Sequence, residues 1–213
     1  MTRAKKEITQ AGTKIYDRGL VAGTWGNISK RLEEDPKKFA ITPSGMDYRK
    51  IKEEDIVILN LEGEKKEGER IPSAETPLHA HVYKTREEIN AVIHTHSVYA
   101  SAIACLRENI PPIVEDMVQI VGGGIETAEY ELPGTEELAE SALRALNHKK
   151  AALLANHGVI SLGKDVDEAI KVAEIVEKSA KIYLLAEFLG NPKKLDEEEV
   201  EKMKEAYRKY GQS

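Results

Sequence analysis

Residues 91–106 read AVIHTHSVYASAIACL. The small and β-branched run Ala91 to Thr95 predicts a buried strand, and the apolar stretch Val98 to Leu106 predicts a buried helix directly behind it. A strand feeding at once into a helix implies layers of mixed type, and the same alternation extends outward in both directions. Towards the N-terminus, apolar groups at Ile8, Ala11, Ile15 and Tyr16 predict a helix over Lys5 to Arg18, closed by Gly19. Asn27 to Leu32, Phe39 to Thr42 and Asp55 to Leu61 read as strands. Ser73 and Pro77 predict a helix from near Glu75 to about Arg86. Towards the C-terminus, Met117 to Val121 reads as a strand opening into Gly122-Gly123-Gly124. Thr135 caps a helix to about Asn147, without a full capping box because Leu138 stands at the third position. Ala151 to Ala155 and Val159 to Leu162 read as strands, Asp165 starts a helix to about Leu189, and Asp196 to Tyr207 forms a charged one. The expectation is a single α/β domain over residues 1–213, with no internal repeat and no linker.

Composition narrows the class of function. The chain has 213 residues, 41% hydrophobic and 32% charged, with 15 Gly and 8 Pro, which excludes collagen-like and mostly disordered chains. Its net charge of −6 comes from 31 Lys and Arg against 37 Asp and Glu mixed along the whole sequence. That leaves no basic stripe for nucleic acid or an anionic membrane. Cys105 is the sole cysteine, so no internal disulfide can form and a reducing compartment fits. The opening MTRAKKEITQAG lacks an apolar signal core, and no run of about 20 apolar residues could span a bilayer. A cytoplasmic location is therefore expected.

The histidines carry the chemistry. His94 and His96 lie two apart at a strand end, so the period of two puts both imidazoles on one face. His157 ends another strand before Gly158. Three imidazoles with an open fourth position make a catalytic zinc arrangement, since water or substrate needs that position. His79 and His81 share the same H-x-H spacing on a predicted helix, where they face roughly 200° apart and cannot share a metal. His79 reads as a packing or supporting residue, and His81 and His148 as surface positions.

Three turns rich in small residues flank these elements: Gly23-Thr24-Trp25-Gly26-Asn27, Thr42-Pro43-Ser44-Gly45 and Pro72-Ser73-Ala74-Glu75. Backbone N–H groups at such turns, with Ser and Asn side chains and a helix N-terminus, make an anion nest. Together with the histidines they point to a phosphorylated metabolite. Glu75 stands among small and apolar neighbours, away from the charged runs. A carboxylate beside a metal-bound substrate can move a carbon-bound proton.

Taken together, the segments GTWGNIS (23–29), ITPSGMDY (41–48), PSAETPLHAHVY (72–83), VIHTHS (92–97) and LLANHGV (153–159) resemble, in order, the class II aldolase/epimerase family. This is the family of L-fuculose-1-phosphate aldolase and L-ribulose-5-phosphate 4-epimerase; the resemblance runs from about Leu20 to Leu189, and KYGQ (209–212) matches as well. It implies a three-layer αβα sandwich around a central, largely antiparallel mixed sheet, and a C4 homotetramer with active sites between subunits. It implies zinc, with manganese or cobalt as substitutes, on His94, His96 and His157. Gly26, Asn27, Ser44, Gly45, Ser73 and Ala74 would hold the substrate phosphate. Glu75 would be the catalytic acid/base and would touch the metal in the resting enzyme.

Within the family, Glu75 and the short segment between Asp116 and Gly134 resemble the aldolase. Its reaction is reversible cleavage of a ketose 1-phosphate, such as L-fuculose 1-phosphate, to dihydroxyacetone phosphate and an aldehyde such as L-lactaldehyde. Trp25, Pro43-Ser44-Gly45, Thr76-Pro77 and Tyr210-Gly211-Gln212 resemble the epimerase. Tyr210 fits the C-terminal tyrosine that a neighbouring subunit supplies in both. Where the fuculose enzyme has a second tyrosine and the epimerase an aspartate, this chain has Glu115 and Asp116, and Ala74 replaces a common serine. Methylthioribulose-1-phosphate dehydratase also carries an acid near Asp116 and is the third alternative. An adducin-like binding domain would lack the metal histidines, all of which are present here. A class I mechanism needs a lysine in an apolar pocket, whereas the lysines here sit mainly in charged stretches.

Overall fold

Neighbouring residues of the central strands pack into different cores. Val57 and Leu59 belong to one cluster while Ile56 and Ile58 belong to another, and Val92 is separated in the same way from Ala91 and Ile93. Such alternation requires a sheet covered on both faces. The computed structural model, which describes residues 3–208, shows that sheet. Its strands are β1 (Asn27–Arg31), β2 (Lys38–Ile41), β3 (Val57–Asn60), β4 (Lys65–Glu67), β5 (Ala91–Thr95), β6 (Thr127–Ala128), β7 (Ala151–Leu154) and β8 (Gly158–Gly163). They are ordered β4-β3-β2-β1-β5-β8-β7-β6. Every pairing is antiparallel except β6 with β7.

Helices α2 (Thr76–Thr85) and α5 (Glu136–Leu146) cover one face through Leu78, Val82, Leu138 and Ala142. On the other face lie α1 (Arg3–Asp17), α3 (Val98–Leu106), α4 (Glu115–Val121) and α6 (Val166–Leu189). The architecture is thus the expected αβα sandwich around a largely antiparallel sheet, and α7 (Glu197–Arg208) packs against α4. Tyr210 lies outside the described residues. Among the described residues, no helix is long and apolar enough to cross a membrane.

Local chemistry sets the element ends. The Thr135 hydroxyl accepts from the Leu138 backbone N–H and the Asp165 carboxylate from that of Glu168, each an N-cap that satisfies an otherwise orphaned donor. Residues 117–121 require a correction, because they form the body of helix α4 instead of a strand. Met117, Val118, Ile120 and Val121 are its buried residues, a helical spacing that a five-residue apolar run also lends to a strand. Glu115 and Asp116 occupy the first turn, where the dipole favours acids, and Gly122 ends the helix at φ +104°. Strands β4 and β6 are short edge pairings that carry no apolar alternation of their own.

Candidate metal centre and substrate cavity

The start of β1, the end of β5 and the start of β8 meet at one end of the three central strands of the sheet. In the β1–β5 ladder Asn27 lies opposite His94, and in the β5–β8 ladder Thr95 lies opposite Val159. His157, just before β8, is thereby carried to the pair on β5. The three imidazoles converge with ring centroids 4.7 to 5.0 Å apart, and one ligand nitrogen from each lies within 4.8 Å of the others. Gly158 makes the approach possible: a Cβ there would stand 2.3 Å from the Thr95 carbonyl oxygen and 3.3 Å from both His94 and His96. Gly26 plays the same part on the other side, at φ +89° and with its virtual Cβ 2.6 Å from the His94 carbonyl.

A methyl group at 158 meets backbone, which cannot swing aside. Gly158→Ala is therefore expected to force β5 and β8 apart, destabilising the protein by about 1–3 kcal/mol or more and weakening metal binding. Thermal melting with and without added zinc checks this; an unchanged melting temperature and metal affinity would contradict the packing argument.

Glu75 closes the cluster from the N-cap position of α2, where its own N–H donates to Ser73 Oγ at 3.3 Å. Its carboxylate oxygens lie 3.1 Å from His94 Nε2 and 3.0 Å from His157 Nε2, and Oε2 accepts from Asn27 Nδ2 at 3.0 Å. Burial works against charge on Glu75, but the facing imidazoles and the Asn27 amide outweigh it and hold the carboxyl below the usual carboxylate range. Burial also disfavours the charged form of His94 and lowers His96 to about 3.

The hydrogen-bond polarity tests whether a metal belongs here. His94 Nδ1 donates to the Val159 carbonyl at 2.9 Å, so in the neutral ring Nε2 carries a lone pair. That lone pair faces His96 Nε2 at 2.8 Å and the Glu75 carboxylate at 3.1 Å. Lone pairs and an anion crowded together repel, and one proton relieves a single contact. A divalent cation relieves all of them, so the donor set fits a metal ion bound by imidazole nitrogens.

Beside the cluster opens a cavity of about 610 Å³. Gly26, Asn27, Ser44, Gly45, Ser73 and Ala74, the six residues expected to hold phosphate, all line it with Glu75, His96 and His157. His94 is fully buried behind them. Asp116 does not line the cavity; it sits on α4 in an ion pair with Lys178 of α6. Six lining residues were not among the expected site residues: Ala22, Thr24, Trp25, Pro43, Pro133 and Asn156. The Trp25 ring is 66% exposed and lies 5.8 Å from that of His96. Asn156 adopts φ +55° and accepts from Arg107 Nε, which shapes the turn carrying His157; its place directly before His157 was the available signal. His81 pairs with Glu136 on the outer side of α2, and His148 is exposed, as expected for positions away from the centre.

The chain belongs to the Class II Aldolase and Adducin N-terminal domain family, whose sequence profile matches residues 6–184. Among curated relatives, the 5-deoxy-D-ribulose 1-phosphate aldolase of Bacillus thuringiensis serovar kurstaki is 42% identical, covering 100% of this chain and 99% of that protein. The L-fuculose phosphate aldolase of Escherichia coli is 36% identical over 91% of this chain and 88% of its own length. A solved L-fuculose 1-phosphate aldolase superposes with a TM-score of 0.94 at 41% identity, covering 98% of this chain and 97% of that one.

Proposed function

We propose that the chain, acting as one domain over residues 1–213, is a zinc-dependent aldolase cleaving a deoxyketose 1-phosphate to dihydroxyacetone phosphate and an aldehyde. The observation that carries this reading is a buried Glu75 within 3.1 Å of His94 and His157 in a cluster of three converging imidazoles, beside a cavity lined by the three polar turns. His94, His96 and His157 would hold the metal, for which manganese or cobalt could substitute. When bound, the cation supplies Lewis-acid polarisation of the substrate's carbonyl and neighbouring hydroxyl oxygens.

The residues divide the remaining work. Ser44, Ser73 and Asn27, with the backbone N–H groups of Gly26, Gly45 and Ala74, anchor the phosphate and so fix the carbon chain across the centre. Cleavage removes a proton from the hydroxyl that becomes the aldehyde oxygen and adds one to the carbon that becomes part of dihydroxyacetone phosphate. Glu75 serves the second transfer, and returns that proton to itself in the synthetic direction. Tyr210 serves the aldehyde side from a neighbouring subunit of a homotetramer, and Asp116 is the second residue proposed for that side, although it stands away from the cavity of its own chain. The compartment proposed is the cytoplasm.

Substrate class follows from the apolar part of the cavity lining. Trp25, Ala22, Pro43 and Pro133 offer apolar surface, suited to a methyl-terminated chain. Both 5-deoxyribulose 1-phosphate and L-fuculose 1-phosphate end in a methyl group, and these are the substrates in the names of the two relatives. The test is release of dihydroxyacetone phosphate from each, read by NADH oxidation through a coupling dehydrogenase. Release is expected, abolished by chelator and restored by zinc. No release from either by zinc-loaded protein would overturn the aldolase reading and make L-ribulose 5-phosphate the next substrate.

A further inference from the structure

Behind Glu75 a chain of polar groups runs into the core where apolar packing would be expected. Asn27 Nδ2 donates to Glu75 Oε2 at 3.0 Å, and Asn27 Oδ1 pairs with His79 Nε2. His79 Nδ1 lies 2.6 Å from Ser29 Oγ, which lies 2.7 Å from the Tyr83 hydroxyl. Asn27, Ser29, His79 and Tyr83 are all buried, at 4%, 0%, 0% and 1% exposure, so none can exchange these partners for bulk water.

The polarity of the chain has one consistent solution. The Asn27 amide presents its NH2 to the Glu75 carboxyl group and its carbonyl oxygen to His79. A carbonyl oxygen requires a donor, which fixes the proton on His79 Nε2. Burial keeps the ring neutral, lowering it to about 3, so Nδ1 is left as an acceptor. Ser29 must therefore donate to Nδ1, and its oxygen accepts from Tyr83. Were His79 the other tautomer, two acceptors would meet at Asn27, the amide would be driven to flip, and its oxygen would face the Glu75 carboxylate.

We propose that His79 is a positioning residue: held by Ser29 as the Nε2–H tautomer, it locks the Asn27 amide so that Nδ2 points at Glu75 and fixes the carboxylate's orientation. Its side chain meets neither the metal ligands nor the cavity; it acts through Asn27. The effect on turnover rests on the aldolase role proposed for Glu75, whereas the tautomer does not.

Two measurements on the full chain test it. In histidine-labelled protein, metal-free and zinc-loaded, nitrogen NMR at neutral pH should assign His79 to the neutral Nε2–H form; the Nδ1–H form would overturn the proposal. His79→Gln can donate to Asn27 and accept from Ser29 as the native ring does, while His79→Leu can do neither. The leucine variant should lose roughly 10–100-fold in kcat, with metal content and KM nearly unchanged, and the glutamine variant should recover most of that loss. Equal losses in both variants, each folded and zinc-loaded, would reduce His79 to packing and overturn the proposal. If the leucine variant does not fold, the wild-type tautomer and the glutamine variant still decide. Absence of turnover in the wild type would count against the aldolase reading alone, because the NMR result stands independently.

Discussion

Replacing His94 with alanine is expected to yield protein without bound metal and without measurable turnover. His94 is the fully buried member of the cluster, and its Nδ1 donates to the Val159 carbonyl while Nε2 faces Glu75 and His96. Alanine removes a ligand and the anchor that aims it, and leaves the Val159 carbonyl short of a donor in the core. The latter adds a destabilisation of about 1–3 kcal/mol, so lost activity alone would not separate binding from folding. His96→Ala separates them. His96 is only partly buried, and its described polar contact is with His94 Nε2, so truncating it should lower stability much less while removing metal and turnover to the same extent. Elemental analysis of purified protein and the coupled assay read both effects. A metal-free variant with undiminished turnover would show that the imidazoles serve some other purpose.

How far the sequence anticipated this centre depends on which physical relation is local. The pairing of His94 with His96 follows from the strand period alone, and Glu75 stood out because its neighbours are small and apolar. Convergence of His157 is a different matter, since it requires β8 to lie antiparallel to β5 in the register that sets Thr95 opposite Val159. No spacing within either segment contains that register. The helix period correctly separated His79 from His81, yet it could not reveal that β1 presents Asn27 and Ser29 to the inner ring. Residues 117–121 failed for a different reason. MVQIV is apolar enough for either element, and the deciding facts are the acids at 115 and 116 and the left-handed Gly122, both read more easily as a helix start and stop. Strands β4 and β6 exist through ladder hydrogen bonds to longer neighbours, which short polar or two-residue segments do not advertise.

Glu75→Gln should show the opposite dissociation: metal retained, turnover lost. Glutamine has the same shape and can still accept from Asn27, so the helix start, the turn at Ser73 and the cavity floor should survive. The three imidazoles proposed as ligands remain, and a set of three is expected to retain the metal. What disappears is the ability to take or give a proton at substrate carbon, because a carboxamide is neither base nor acid near neutral pH. General acid/base groups contribute about 10²–10⁴-fold, and a kcat loss of that order with a KM close to wild type is expected. Exchange of a carbon-bound hydrogen of dihydroxyacetone phosphate with solvent deuterium isolates the step, since it needs no aldehyde partner and no carbon–carbon bond change. Wild-type protein should catalyse the exchange and Glu75→Gln should not. Metal loss accompanying the loss of turnover would assign Glu75 to binding, whereas exchange at the wild-type rate would move the proton transfer to another group. The anchored amide of Asn27 gives this experiment its sharpness: it holds the side chain at 75 in place whether that side chain is charged or not, so the comparison changes proton chemistry while leaving position fixed.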